Sequence, residues 1–163
     1  SYLEEAATYF EPAQLSHIQF IAGGATRFDS VKNGLQAIKE PCVIFVHDGV
    51  RCLVSSDLIK KCYEQALVQG SAIPAVTATD SIRLISGDTH QVVDRNLVKI
   101  IQTPQTFLST LLLPAFEQPY QASFTDEATV VEAAGHTVRL IEGEYSNLKI
   151  TRPQDLIVAE SLF

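Results

Sequence analysis

Asp48 and Arg51 stand three residues apart in the stretch IFVHDGVRCL, residues 44–53. A guanidinium meets a phosphate in a two-pronged fork, and a carboxylate accepts from hydroxyls or reaches a cation, so this pair suits a phosphorylated, polyhydroxylated substrate. The same residues also fit an Asp-Gly turn closed by a local ion pair, and this stretch alone does not separate the two readings. Further along, hydroxyls and charges recur at what read as strand ends, turns and helix starts: Ser81, Asp94 and Arg95, Thr103 and Thr125, Lys149 and Arg152. Each has an ordinary explanation. Asp94 and Arg95 fit a surface pair worth under about 1 kcal/mol, Thr125 fits a helix cap, and Arg152 fits a structural partner for an acid. Taken together, cations and hydroxyls spread through an otherwise acidic chain read as a site for a phosphate ester.

These groups need a frame. Cys42 to Val46 is apolar, β-branched and aromatic, and it stops at His47-Asp48-Gly49. That is a buried strand delivering polar groups at its carboxyl end, where open α/β sheets bind ligands. Ahead of it, Ser1 to Phe10 sets Leu3, Ala6, Ala7 and Phe10 against Glu4 and Glu5 at helical spacing. HIQFIA, residues 17–22, reads as a short strand, followed by a Gly23-Gly24 turn and by Asp29-Ser30 as the cap of a helix carrying Val31, Leu35 and Ile38 inward. A strand, a glycine pair and a helix start make an anion-friendly junction with Arg27 and Ser30 at hand; a plain tight connection has the same pattern.

Beyond the central strand, Ser55-Ser56-Asp57 caps a helix through Gln69 that buries Leu58, Ile59, Cys62, Ala66 and Leu67 and closes at Gly70. Residues 71–79 then form a strand parallel to the earlier ones, because strand-helix-strand alternation implies right-handed crossovers. Residues 80–101 change the pattern to two alternating strands around Ser86-Gly87-Asp88. Two-stranded ribbons are marginal in water, so this arm is expected to pack on something, most economically a second copy of the chain. QTPQTF leads into a helix with Leu108, Leu111, Leu112 and Phe116, and Thr125 caps another that ends at Gly135. Residues 138–142 and 147–151 read as strands, the second carrying Lys149, and Pro153 opens a final amphipathic helix, PQDLIVAESLF.

With 163 residues, 46% hydrophobic and 19% charged, the chain is one domain able to bury a core. A net charge of −7 argues against nucleic-acid or anionic-membrane partners, both of which demand clustered Lys and Arg. No apolar run approaches 18 residues. Cys42, Cys52 and Cys62 are too far apart for a metal knuckle and odd in number, which fits free thiols in the cytoplasm.

HDGVR after a strand, VDRN followed by QTPQTF, TDEA at a helix start and NLKITRP near the end, in that order, resemble the 2-C-methyl-D-erythritol 4-phosphate cytidylyltransferases of the non-mevalonate isoprenoid pathway. GGATRFDSVKNGL resembles the family's GG-x-x-R-x-x-SV-x-x-GL block, so the likeness runs from about Gly23 to the last helix. The related ribitol 5-phosphate cytidylyltransferases share much of the pattern, and a non-catalytic sugar-phosphate-binding dimerisation module is the alternative from another class.

The resemblance implies a Rossmann-like, mostly parallel α/β sheet with helices on both faces and a protruding hairpin arm, residues 80–101, that makes a homodimer. It implies transfer of CMP from CTP to the sugar-alcohol phosphate, with pyrophosphate released and Mg²⁺ bridging the triphosphate. Gly24, Ser30 and Asp48 fall where the family holds the nucleotide, with Ala25 in place of a common Asp. Arg51, Ser81, Arg95, Thr103, Thr125 and Lys149 fall where it holds the substrate; Ser81 replaces a Thr, and Arg95 reaches across from the partner's arm. Lys149 and Asp48 are the implied catalytic pair. His47 reads as a neighbour of the site whose work is structural hydrogen bonding. Family members begin with a strand and a glycine-rich loop carrying an Arg and a Lys, which nothing here matches. The chain, opening on Ser1, is therefore expected to be a fragment lacking about 30 residues or more, with apolar sheet edges exposed, poor CTP binding and no turnover alone.

Overall fold

The computed structural model describes residues 2–162, with side chains from residue 4 to residue 162; Ser1, Phe163 and the side chain of Leu3, all assigned above to helices, lie outside the described parts. Two short helices, α1 (Tyr2–Ala7) and α2 (Pro12–Leu15), open the chain. The strand expected over residues 17–22 does not form. No described strand runs beside this segment, and a strand exists only where a neighbour takes up its backbone groups. Instead residues 16–26 run irregularly into α3 (Arg27–Leu35). The cap of α3 is Thr26, three residues before the expected Asp29-Ser30. Thr26 Oγ1 accepts from the Asp29 amide at 3.1 Å while the Asp29 carboxylate accepts from the Thr26 amide at 3.1 Å, a reciprocal capping box. Gly24 sits where a Cβ would collide with the Asp29 side chain, so glycine is required there by close approach.

The remaining elements follow as β1 (Val43–Val46), α4 (Ser56–Gln69), β2 (Ser71–Thr77), β3 (Ile82–Ser86), β4 (Thr89–Val93), a 3-10 turn at Arg95–Leu97, β5 (Lys99–Ile101), β6 (Gln105–Leu108), α5 (Ser109–Ala115), α6 (Glu127–Ala133), β7 (Leu140–Glu142) and α7 (Pro153–Leu162). Ser55 caps α4 by accepting from the Leu58 amide at 3.0 Å, and Gly70 ends it at φ 85°, a left-handed position that favours glycine.

The sheet is mixed. β1, β2 and β7 share one direction, as expected of crossover connections, but β5 and β6 run against them. The chain leaves β2 into the β3–β4 ribbon and comes back along the edge of β2 that it left, which makes the return run antiparallel. The ribbon ends sooner than residue 101: β3 and β4 pair only with each other, while Lys99–Ile101 has rejoined the main sheet against β2. QTF, assigned above to a helix approach, is β6, inserted between β1 and β2.

Helices cover both faces. On one, α4 buries Leu58, Cys62 and Ala66 against Ala72, with Val43 and Ile141 beside them. On the other, Phe28 and Leu35 of α3, Leu112 and Ala115 of α5, and Val130 and Val131 of α6 pack on Ile44, Ile73 and Phe107. Successive residues such as Val43 and Ile44, or Ala72 and Ile73, thus serve opposite cores, as the pleat demands. The expected inward pair Ile59 and Leu67 is largely exposed. In α7 only Ala159 is buried, whereas Leu156, Ile157, Val158 and Leu162 are exposed. Consecutive apolar residues point all round a helix, so this stretch has no single face to bury. Residues 147–151 form a loop, because their backbone groups bond to Arg51, Gln102 and Val50 instead of to a strand. Among the described residues no helix is long and apolar enough to cross a membrane.

Candidate active site

β1 ends at Val46 and releases His47 and Asp48 into a tight turn in which the Arg51 amide donates to the Asp48 carbonyl at 3.0 Å. The opposite wall comes from an interruption in the return run. Three steps along β2, from Ala72 to Ala75, are matched by five along the facing chain, from Ile101 to Thr106. The surplus is a bulge at Gln102-Thr103-Pro104, and bulges beside active sites re-aim side chains. Here the bulge brings Thr103 Oγ1 to 3.0 Å from the Asp48 amide, which donates to it, and to 3.0 Å from His47 Nδ1. The third wall is the 144–149 loop. Asn147 Nδ2 donates to the Thr103 carbonyl at 2.9 Å, Gln102 Nε2 donates to the Glu144 carbonyl at 2.7 Å, and the Ile150 amide donates to the Val50 carbonyl at 2.9 Å, setting Lys149 over Asp48.

Asp48 receives two cations. Lys149 Nζ lies 3.1 Å from its carboxylate and Arg51 Nε 3.4 Å. Burial alone would raise the Asp48 pKa, but the hydrogen bond and charge of Lys149, then the charge and hydrogen bond of Arg51, outweigh it and hold the carboxyl below the ordinary aspartate range. Arg51 is itself buried, with Nη1 donating to the Asn147 carbonyl at 2.7 Å. Its guanidinium is thereby held in place, while the Lys149 side chain stays half exposed.

Asp48, Arg51, Thr103, Thr125 and Lys149 all line one cavity of about 250 Å³, together with Arg27, Gln102, Gln105 and Asp126. Five of the residues nominated from the sequence are thus brought together by one chain. Gly24, Ser30, Ser81 and Arg95 do not line it. The Gly24 amide donates to Ser30 Oγ at 2.9 Å, and Ser30 Oγ donates to the Thr26 carbonyl at 2.9 Å, so this hydroxyl holds the glycine turn. Ser81 and Arg95 are exposed at the root of the arm, where Arg95 Nη1 donates to the Thr79 carbonyl at 2.7 Å.

Sequence reasoning left out the pair that joins the two helix starts. Arg27, first residue of α3, forks onto Glu127, first residue of α6, at 2.6 and 2.8 Å, and Glu127 is fully buried. Its hydrogen bond with Glu127 raises the Arg27 pKa above the ordinary arginine value. The cap of α6 is Asp126 rather than Thr125: its carboxylate accepts from the Thr129 amide at 2.9 Å and from Gln105 Nε2 at 2.9 Å. Thr125 is left on the cavity wall with its hydroxyl unused by the helix. The signal was present in the motifs GGATR and TDEA, but two charges 100 residues apart carry no mark of their pairing.

The cavity, its cations and the bulge can be set beside known proteins. The family described as IspD, 2-C-methyl-D-erythritol 4-phosphate cytidylyltransferase, matches residues 4–163. The 2-C-methyl-D-erythritol 4-phosphate cytidylyltransferase of Bacteroides fragilis is 45% identical over 140 residues, which are 86% of this chain and 64% of that protein. That of Porphyromonas gingivalis is 44% identical over 149 residues, 91% of this chain and 67% of that protein. The crystal structure of the Thermus thermophilus cytidylyltransferase superimposes with a TM-score of 0.81 at 38% identity, covering 94% of this chain and 77% of the other. This chain spans 64% of the length of the Bacteroides fragilis protein, a little under two thirds. With a family match across nearly its whole length and relatives of this identity, the chain belongs to the 2-C-methyl-D-erythritol 4-phosphate cytidylyltransferase family.

Proposed function

We propose that the protein transfers CMP from CTP to 2-C-methyl-D-erythritol 4-phosphate, releasing pyrophosphate, in the cytoplasm and as a homodimer. The observation that carries this reading is the convergence of Arg51 and Lys149 on Asp48 beside Thr103 and Thr125 in a single cavity. A phosphate monoester is already ionised near neutral pH, so its oxygen attacks the α-phosphorus of CTP without a general base. One P–O bond forms there, and the bond to the pyrophosphate oxygen breaks. What the protein supplies is alignment and charge neutralisation. Lys149 and Arg51 hold the substrate phosphate, Asp48 keeps both cations aimed, and Thr103 and Thr125 meet the sugar-alcohol hydroxyls. The partner's Arg95 adds a cation from the arm, which accords with its place outside this chain's own cavity. Three free cysteines suit a reducing compartment.

Mg²⁺ is a hard cation that keeps phosphate oxygens as ligands. Among the described residues no three His, Cys, Asp or Glu side chains gather in one place, and an ion held mainly through phosphate oxygens needs no such cluster. Any ion would come with the triphosphate and add charge neutralisation there. The test has two arms. Calorimetric titration of this chain with methylerythritol phosphate and ribitol phosphate is expected to favour the former. Substituting this chain for the matched segment of the Bacteroides fragilis relative is expected to preserve pyrophosphate release. Preference for ribitol phosphate, or a silent chimera that is folded, would overturn the reading.

A further inference from the structure

His47 has one neighbour fixed as an acceptor and one that can adapt. Its Nε2 lies 3.1 Å from the Arg51 carbonyl, which can only accept, so in the neutral ring the proton sits on Nε2. Nδ1 is then a bare lone pair, and the hydroxyl 3.0 Å away, Thr103 Oγ1, must give it a hydrogen. That same oxygen already takes the Asp48 amide hydrogen at 3.0 Å. Its proton is committed, one lone pair is occupied, and a single lone pair is left.

We propose that His47 fixes the hydrogen-bond polarity of Thr103, making the threonine hydroxyl an acceptor for a hydroxyl group of the bound substrate and never a donor to its phosphate. His47 is a positioning residue, acting through Thr103. This deepens the reading given under Proposed function and rests on it for the identity of the ligand, a polyol phosphate. The chain of constraint starts at a backbone carbonyl, so it does not depend on what is bound. It also separates labour inside the cavity: Arg51 and Lys149 address the phosphate, and Thr103 discriminates for a hydroxyl-bearing ligand against a plain anion.

Two measurements test it. Long-range ¹H–¹⁵N spectra of the chain are expected to show His47 protonated on Nε2 and bare on Nδ1; a proton on Nδ1 would overturn the proposal whatever the substrate is. Affinities for methylerythritol phosphate and for inorganic phosphate are then compared in the wild type, His47→Leu and His47→Gln. His47→Leu is expected to lose about three- to tenfold for the polyol phosphate, the effect of one hydrogen bond, and nothing for inorganic phosphate. His47→Gln, whose amide again offers one acceptor and one donor, is expected to recover most of that loss. Equal losses for both ligands would reduce His47 to a loop support and sink the idea. If the wild type binds inorganic phosphate but no polyol phosphate, the functional reading fails, while the spectra still decide the polarity.

Discussion

The floor of the cavity and the β3–β4 arm are both attached to β2, yet they are held in opposite ways. On the floor, Arg51, Thr103, Gln102, Asn147 and Glu127 are buried, and every one of them is hydrogen-bonded within the chain, although the Asn147 Oδ1 atom has no partner. On the arm, Leu84, Ile85, Val92 and the adjoining Leu97 are exposed, and Ser81 and Arg95 sit at its root without a buried partner. A buried polar network has one satisfied arrangement and is costly to disturb. An exposed ribbon takes its final geometry from whatever covers it. The chain therefore holds the cations of its cavity by its own bonds and leaves the apolar residues of the arm uncovered.

The contrast can be broken most sharply at the ion pair between the helix starts. Arg27→Ala leaves the Glu127 carboxylate buried and unpaired, and urea unfolding is expected to show a loss of about 3 kcal/mol, near the low end for a broken buried pair because the Arg27 side chain is 42% exposed. A loss below about 1 kcal/mol would mean that the floor tolerates disorder as the arm does. Asn147→Ala removes the hydrogen on the Thr103 carbonyl and is expected to cost about 2 kcal/mol in the same experiment.

Lys149→Ala has a smaller effect on stability, under about 1 kcal/mol for a half-exposed pair, but a definite one on titration. The Asp48 pKa is depressed, so the stability its charge contributes is complete above about pH 4, the unfolded value, and is lost as pH falls through the lower folded value. Without Lys149, burial has only Arg51 to oppose it, and the carboxyl is expected to titrate higher in a ¹³C NMR series. An unmoved Asp48 would show that Lys149 is not its partner in solution. Least affected is the arm. Leu97→Ser, at a residue 82% exposed, is expected to change monomer stability by less than about 0.5 kcal/mol while lowering, in analytical ultracentrifugation, the population of the proposed dimer. A large loss of monomer stability would erase the distinction.

Much of the site was legible in the sequence because strand ends announce themselves. The apolar run of Val43–Val46 stops abruptly at Asp48, and that stop located the turn carrying Arg51. Family motifs supplied Thr103, Thr125 and Lys149 by resemblance, and all line the cavity. What failed to show were features defined by other parts of the chain. HIQFIA has strand composition but no neighbour to pair with, and QTF is too short and polar to declare itself a strand until β1 and β2 flank it. The exposed apolar surface of α7 was hidden for a similar reason, since a periodicity reading assumes a face that the fold does not supply. Gln102, read as part of a helix approach, and Asn147, read as the start of a strand, were not singled out because nothing local marks a buried network.

The insertion of β6 between β1 and β2 also governs how the molecule must assemble. Val43 meets Leu108 and Ser71 meets Phe107, so the sheet closes only after more than half of the chain has been collected. Folding speed falls as contacts become more distant in sequence, because loop closure costs entropy before any contact repays it. Until β6 docks, the edges of β1 and β2 that it will occupy stay open, and an open strand edge is a template for pairing with another chain.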